Sequence, residues 1–245
     1  MTVLLLKLAG PLQAWGDRSR FVRRETATEP TKSGVIGLIA AAAGRRRTDP
    51  IEDLAALAFG VRVDQPGALV RDFQTARSLD GTRTMPLSTR FYLSDAAFLA
   101  ALGGPPDLLE GIAESLCNPT FPLYLGRRSC PPAEQIVAEN AMRTGTVVEV
   151  LRAEPWRAAA WYRRKHRSAQ HQRLTLVVDA DAADPDGDWD VRAIARDHPI
   201  SFDPRDRSYG IRAIARGSVR VVNPEYQPLR GNGWGDHDPI TELGA

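Results

Sequence analysis

The residues best suited to chemistry lie near the start of the chain. Gly10-Pro11-Leu12-Gln13-Ala14-Trp15-Gly16 runs on through Arg18, Ser19, Arg20, Phe21, Arg23 and Arg24. A guanidinium fork pairs bidentately with phosphate, indole and phenyl planes stack on unpaired bases, and glycine lets a backbone approach closely. Single-stranded RNA is read by splaying and stacking its bases, so interleaving all three is the pattern such a ligand needs. Arg18, Arg20 and Arg24 are therefore candidate phosphate contacts, Trp15 and Phe21 candidate stacking groups, and Gln13 a polar contact. The same residues also fit a loop pinned to the core by Trp15 and Phe21, with its arginines in water.

Two further segments carry related chemistry. Pro30-Thr31-Lys32-Ser33-Gly34 opens a helix, where unpaired N–H groups attract phosphate and Lys32 and Ser33 add a charge and a hydroxyl. Thr31 also reads as an ordinary N-cap. The Lys-Ser pair is no Walker A motif: that needs Gly just before the Lys and again five positions earlier, where this chain has Thr31 and Thr26. In Leu125-Gly126-Arg127-Arg128-Ser129-Cys130-Pro131-Pro132, paired arginines follow an extended apolar stretch. They face the first loop across a sheet, or simply mark a solvated turn.

Catalytic constellations do not assemble. His166, His171, His198 and His237 all lie in the C-terminal half, and the spacing of the first two suits neither a helical metal pair nor a zincin motif. Cys117 and Cys130 form no CxxC, fit a reducing compartment, and read as small buried side chains. The acidic run Asp179, Asp181, Asp184, Asp186, Asp188 and Asp190 places Gly187 wrongly for a calcium loop and reads as a solvated loop. No metal and no cofactor is expected. Metal-free RNA cleavage would need an acid–base pair such as Tyr92 with a nearby Lys or Arg, and nothing in the spacing selects one.

Elements must hold these segments. The 245 residues are 43% hydrophobic and 25% charged, ordinary for a globular protein, and allow one large domain or two small ones. Net charge is only +2, yet residues 1–47 hold nine Lys or Arg against three acids. A second basic stretch, Arg157 to Arg173, contains no acid at all. Two local basic patches on a near-neutral chain suggest a polyanion held at defined places. The apolar run Val3 to Leu6 breaks at Lys7, too short for a membrane span, so a cytoplasmic protein without membrane contact is expected. Thr2 to Ala9 reads as a buried strand, 10–31 as a long loop, Lys32 to Ala43 as a helix capped by Gly44, and Pro50 to Phe59 as a short helix. Strand character follows around a turn at Pro66 and Gly67, then a polar stretch from Arg77 to Pro86 that reads as a projecting hairpin or loop. Another strand begins near Thr89, and a helix spans Pro105 to Leu116. This order predicts an α+β class, with a ferredoxin-like/RRM-like domain over 1–135. Beyond it, a short helix near Thr144 to Arg152 and strands at Leu174 to Val178 and Ile211 to Val222 predict a small β-rich domain over 136–222. A Gly-, Pro- and Asp-rich tail, expected from its composition to be poorly ordered, occupies 223–245.

The three basic blocks, together with Asp72-Phe73-Gln74-Thr75-Ala76 and Arg90-Phe91-Tyr92-Leu93-Ser94-Asp95, stand in an order that closely resembles the CasD family of CRISPR-associated subunits. The match runs to about Pro132 and resumes more loosely from Asp197 to Arg216. The resemblance implies a non-catalytic subunit of the type I-E Cascade complex that holds the 5′ handle of the CRISPR RNA (crRNA). It implies a β-hairpin thumb around 77–90 directed toward the RNA and the backbone subunit CasC, with the large subunit CasA docking nearby. The basic stretch Trp161 to Arg173, the acidic loop and the tail match nothing in the family; a neighbouring subunit, target DNA or solvent is their expected contact. RNA contacts are then expected from Gln13, Trp15, Arg18, Arg20, Phe21, Arg24, Lys32, Ser33, Gln74, Arg90, Arg127 and Arg128. Relatives in type I-C systems cleave precursor RNA, so a metal-independent endoribonuclease acting on repeat RNA is the alternative.

Overall fold

A computed structural model describes residues 1–16, 23–138, 140–184, 187 and 189–228. Among them, chain order gives β1 (Thr2–Gln13), β2 (Arg23–Arg24), α1 (Lys32–Ala42), α2 (Glu52–Ala55), β3 (Ala58–Gln65), β4 (Ala68–Gln74), β5 (Ser88–Gly104) and α3 (Pro106–Cys117). Then come β6 (Met142–Thr144), α4 (Val147–Ala153), α5 (Ala160–Lys165), β7 (His171–Asp179), β8 (Val191–Ser201) and β9 (Ser208–Val222). One sheet runs in the order β6-β1-β5-β3-β7-β9-β8, with β2 and β4 also paired to β5. It is antiparallel apart from the short β2–β5 pairing. The chain is thus mixed α/β around a large antiparallel sheet, and β7 joins the later strands to β3 without a break.

Both faces of that sheet are covered. Gly60 and Gly103 face Val147 of α4, while Gly104 faces Leu57 just beyond α2. Successive strand residues point to opposite faces, so α4 lies on one side and α2, with α1 and α3 beside it, on the other. This is why Val3, Leu4, Leu5 and Leu6 are all buried: β1 has no solvent face. Helix α1 ends as its sequence predicts. Gly44 takes φ +72°, its N–H donates to Ala41 O (3.1 Å), and that of Arg45 donates to Ala40 O (2.9 Å), a Schellman closure.

Several expectations are corrected. The first strand continues to Gln13, so the loop begins later than Gly10. Pro66 and Gly67 make no reversal: β3 and β4 both pair antiparallel with β5, in one sense, as a single strand kinked between them. Gly67 sits at φ +70° with a would-be Cβ only 2.4 Å from Ser94 O, so only glycine fits that close approach. The predicted helix at 50–59 is a single turn, because Ala58 and Phe59 already belong to β3. Beyond β4 the chain forms a hairpin back into β5, tied at its tip by the Arg77–Thr84 bridge and by Ser78 N donating to Arg83 O (2.9 Å). At that tip, hydrogen bonds from Ser78 and then Thr82 hold the Asp80 carboxyl at a pKa of about 2.

The acidic run is not simply a solvated loop. Asp179 is buried, Asp184 pairs with Arg152, and Asp190 lies 3.7 Å from Arg173; Asp186 and Asp188 lie outside the described residues. The tail expectation falls mostly outside them as well, while Asn223 is buried and bonded to α5. No helix among the described residues is long and apolar enough to cross a membrane.

Candidate nucleic-acid interface

The N-terminal block is built around a buried dyad. Gln13 and Trp15 are both fully buried; Trp15 Nε1 donates to Gln13 Oε1 (3.0 Å), and Gln13 Nε2 donates to Ala96 O (2.8 Å) and Leu8 O (3.1 Å). The indole lies against α1, where a Cβ on Gly34 would come within 2.8 Å of Trp15 Cε3. Trp15 and Gln13 therefore pin the segment and cannot stack on or bond to RNA; the loop-anchor alternative holds for Trp15. Arg18, Arg20 and Phe21 lie outside the described residues.

Lys32 is corrected too. It is 5% exposed, its ammonium pairs with Asp179 Oδ2 (3.1 Å), and its N–H donates to Asp197 Oδ2 (2.8 Å). Arg212 closes the group, donating to Asp197 Oδ1 (2.7 Å) and Asp179 Oδ1 (2.5 Å). Burial pulls the Arg212 pKa down, but the hydrogen bond and charge of Asp197, and the charge of Asp179, outweigh it and leave it raised. The start of α1 thus already holds an anion, the carboxylate of Asp197, as the helix dipole favours. With Thr31 Oγ1 accepting from Gly34 N (3.2 Å), the helix start is latched to β7, β8 and β9 rather than open to phosphate.

The Gly126 turn packs directly on the first block. Ala14 N donates to Leu125 O (3.1 Å), and Gly126, at φ +91°, lets Ala14 O approach to where a Cβ would sit 1.7 Å away. From this turn Arg127 reaches back as a clamp. Its guanidinium donates to Phe91 O (2.8 Å), Arg24 O (2.9 Å) and Glu25 O (3.1 Å), and lies 4.7 Å from the Tyr92 ring centre. Arg128 is exposed. Tyr92, the one residue considered for acid–base chemistry, is 3% exposed beneath Arg127.

These packed segments form one wall of an open cleft of about 1230 Å³. Ala14, Trp15, Gly16, Thr31, Ser33, Gly34, Gly126 and Arg127 line it, with Arg24 and Glu25 at its edge. The opposite wall is formed by Arg196 of β8, by Arg205, Asp206 and Arg207 of the β8–β9 connection, and by Tyr209 at the start of β9. Strand alternation explains Arg196: Asp197 points inward to the latch, so its neighbour points out. Phe202 anchors the connection on α1 beside Gly37 and in edge contact with Tyr209 (6.4 Å). Five arginines and two acids thus line the cleft. Gln74 and Arg90 sit elsewhere, on the β4–β5 hairpin, where Gln74 Nε2 donates to Asp72 (2.8 Å) and Arg90 pairs in register with Asp72. Sequence reasoning missed Arg196, Arg205, Arg207 and Tyr209. The arginine–aromatic interleaving of Arg205-Asp206-Arg207-Ser208-Tyr209 is the signal that could have found them.

An arginine-lined cleft floored by glycine turns thus sits on a mixed α/β fold, and comparison with known proteins narrows the class. The family model for CRISPR-associated protein (Cas5) matches residues 3–214, so the chain belongs to that family. The CRISPR system Cascade subunit CasD of Escherichia coli (strain K12) is 33% identical over 174 residues, 62% of this chain and 77% of that protein. A solved structure described as a Cas protein is 34% identical, with a TM-score of 0.67, over 92% of this chain and 98% of its own. A chain of a CRISPR RNA-guided surveillance complex is 32% identical, with a TM-score of 0.72, over 93% and 95%. The resemblance to CasD read from five short blocks is borne out.

Proposed function

We propose that this chain is the non-catalytic RNA-binding subunit of a type I-E Cascade complex and caps the 5′ handle of the crRNA in the arginine-lined cleft. One observation carries the reading. The three basic sequence blocks converge on a single cleft, and its far wall adds three more arginines. Arg24, Arg127, Arg196, Arg205 and Arg207 supply charge for phosphates, Tyr209 offers a ring for a base, and Arg18, Arg20 and Phe21, which follow Gly16 in sequence, are proposed to join them. The Arg127 guanidinium, held by three carbonyls on the packed floor, suits binding at one register.

Residues 1–135 are read as the ferredoxin-like/RRM-like RNA-binding domain, and 136–222 as the smaller β-rich part that supplies the second wall. The β4–β5 hairpin is read as the thumb. Leu69, Phe73, Leu79 and Leu87 are more than half exposed on it, among Arg71, Arg77 and Arg83, which suits a neighbouring protein subunit lying along RNA. The CasC backbone subunit is the partner proposed there, with CasA docking nearby. Coexpression with the other Cascade subunits and a crRNA tests the assignment: this chain copurifies with handle-bearing crRNA, and replacing 77–84 by a short glycine-serine turn removes CasC while handle binding persists. Specific cleavage of repeat RNA in EDTA by the purified chain would contradict the non-catalytic reading.

A further inference from the structure

The basic stretch from Arg157 to Arg173 plays no part in the cleft. Its helix, α5, rests on a small separate core of Trp156, Ala158, Leu174, Val219 and Val221, into which Tyr162 also packs. The buried Asn223 side chain holds the end of the helix, Nδ2 donating to Arg163 O (3.1 Å) and His166 O (3.0 Å), and Gln227 N donates to Arg167 O (2.8 Å). The helix is therefore fixed in place, not a loose basic arm. It sits at the Val222 end of β9, whereas the cleft lies at the Ser208 end. A strand of that length spans roughly 45 Å, so the two surfaces are distinct.

With Tyr162 turned inward, Trp161, Arg164 and Lys165 stand three and four residues apart and share the outer face of α5. Trp161 is 47% exposed, and Arg164 and Lys165 are exposed. An exposed indole flanked by two cations is the combination that single-strand sites use: a ring to stack a base and charges to hold the backbone. The indole meets Tyr162 at 5.5 Å and 90°, a contact that uses at most one of its two faces. Of the acids nearby, Glu225 pairs with Arg163 (3.8 Å) and Asp190 with Arg173 (3.7 Å) rather than with Arg164 or Lys165. We propose that Trp161, Arg164 and Lys165 form a second nucleic-acid site, which stacks one base of a single strand on the indole and holds the flanking phosphates on the two cations. A duplex hides its base faces and an acidic protein has none, so the exposed ring favours an unpaired strand over either. RNA and DNA share that chemistry.

The test titrates the full-length protein with labelled single strands of about 12 nucleotides, oligouridine and oligodeoxythymidine separately, and with a duplex of equal length. Trp161→Ala lowers affinity for the single strands about tenfold and leaves the duplex unaffected. Arg164→Ala with Lys165→Ala reduces the salt slope on single strands by about 1.4. The same losses persist in an Arg196→Ala, Arg207→Ala background, which separates this site from the cleft. A preference for uridine or thymidine strands identifies the source, and either is consistent with the site. Unchanged single-strand affinity in Trp161→Ala overturns the proposal, as does an equal loss on the duplex. Photocrosslinking of the unaltered protein to a 5-iodouridine strand gives a second readout: adducts within 160–167 support the site, and adducts confined to the cleft refute it.

Discussion

At the scale of single residues, the chain divides its conspicuous side chains into those that build the cleft and those that face it. Lys32 illustrates the first kind. Its motif-like position beside Ser33 suggested phosphate, yet its ammonium is buried against Asp179. Lys32→Met leaves Asp179 with Arg212 and the Phe59 N–H, so the loss falls near the lower end for broken buried pairs, about 3 kcal/mol. Thermal unfolding should drop by about 6–12 °C, while the salt slope of RNA binding stays unchanged. A slope lowered with no thermal effect would return Lys32 to the phosphate set. Gly34→Ala is expected to destabilise by about 1–3 kcal/mol, because its methyl meets the Trp15 ring and Thr31 Oγ1 at once; differential scanning calorimetry reads the shift. Trp15 shows why such roles were hard to read in advance. An aromatic between glycines and arginines is equally apt for stacking and for anchoring, and only its burial decides.

At the scale of elements, the periodic segments were legible and the irregular ones were not. Helices α1 and α3 and strands β1 and β7 lie within a few residues of where apolar patterning placed them. Strand β8 escaped notice because an edge strand with Arg192, Arg196, Asp197 and Pro199 carries no clean alternation. Strand β3 hides a charge for the same reason in reverse. Arg62 and Asp64 are fully buried as a two-toothed pair (2.7 and 2.9 Å), and Arg62 also donates to Leu151 O, Glu154 O and Pro155 O at the end of α4. Nearby, burial pushes the Glu154 carboxyl up, but hydrogen bonds from Arg157 and Arg143 outweigh it and hold its pKa below the usual value. A carboxyl with a lowered folded-state pKa contributes stability that is complete above its unfolded pKa, about 4.3, and fades as pH falls through the folded value. Unfolding temperature should therefore decline between about pH 5 and pH 3, and less steeply in Glu154→Gln. Parallel curves for the two proteins would show that the carboxylate contributes nothing there.

For the whole molecule, the cleft needs both ends of the chain. Its floor comes from blocks near residues 15, 33 and 126, and its second wall from the turn between β8 and β9, delivered by the continuous run β5-β3-β7-β9. The latch of Lys32, Asp179, Asp197 and Arg212 fixes that wall against α1. The sequence made the floor legible because its blocks are local. Convergence with residues some 180 positions away is a property of sheet order, which local patterning does not carry. In the proposed site, Arg24 of the basic N-terminal segment shares one cleft with Arg196, Arg205 and Arg207, far along the chain. The most direct test measures binding of 5′-handle RNA across a salt series for the intact chain and for Arg196→Ala with Arg207→Ala. Two lost phosphate contacts predict weaker binding and a slope reduced by about 1.4. Equal affinity and an equal slope in the two proteins would contradict handle binding in this cleft.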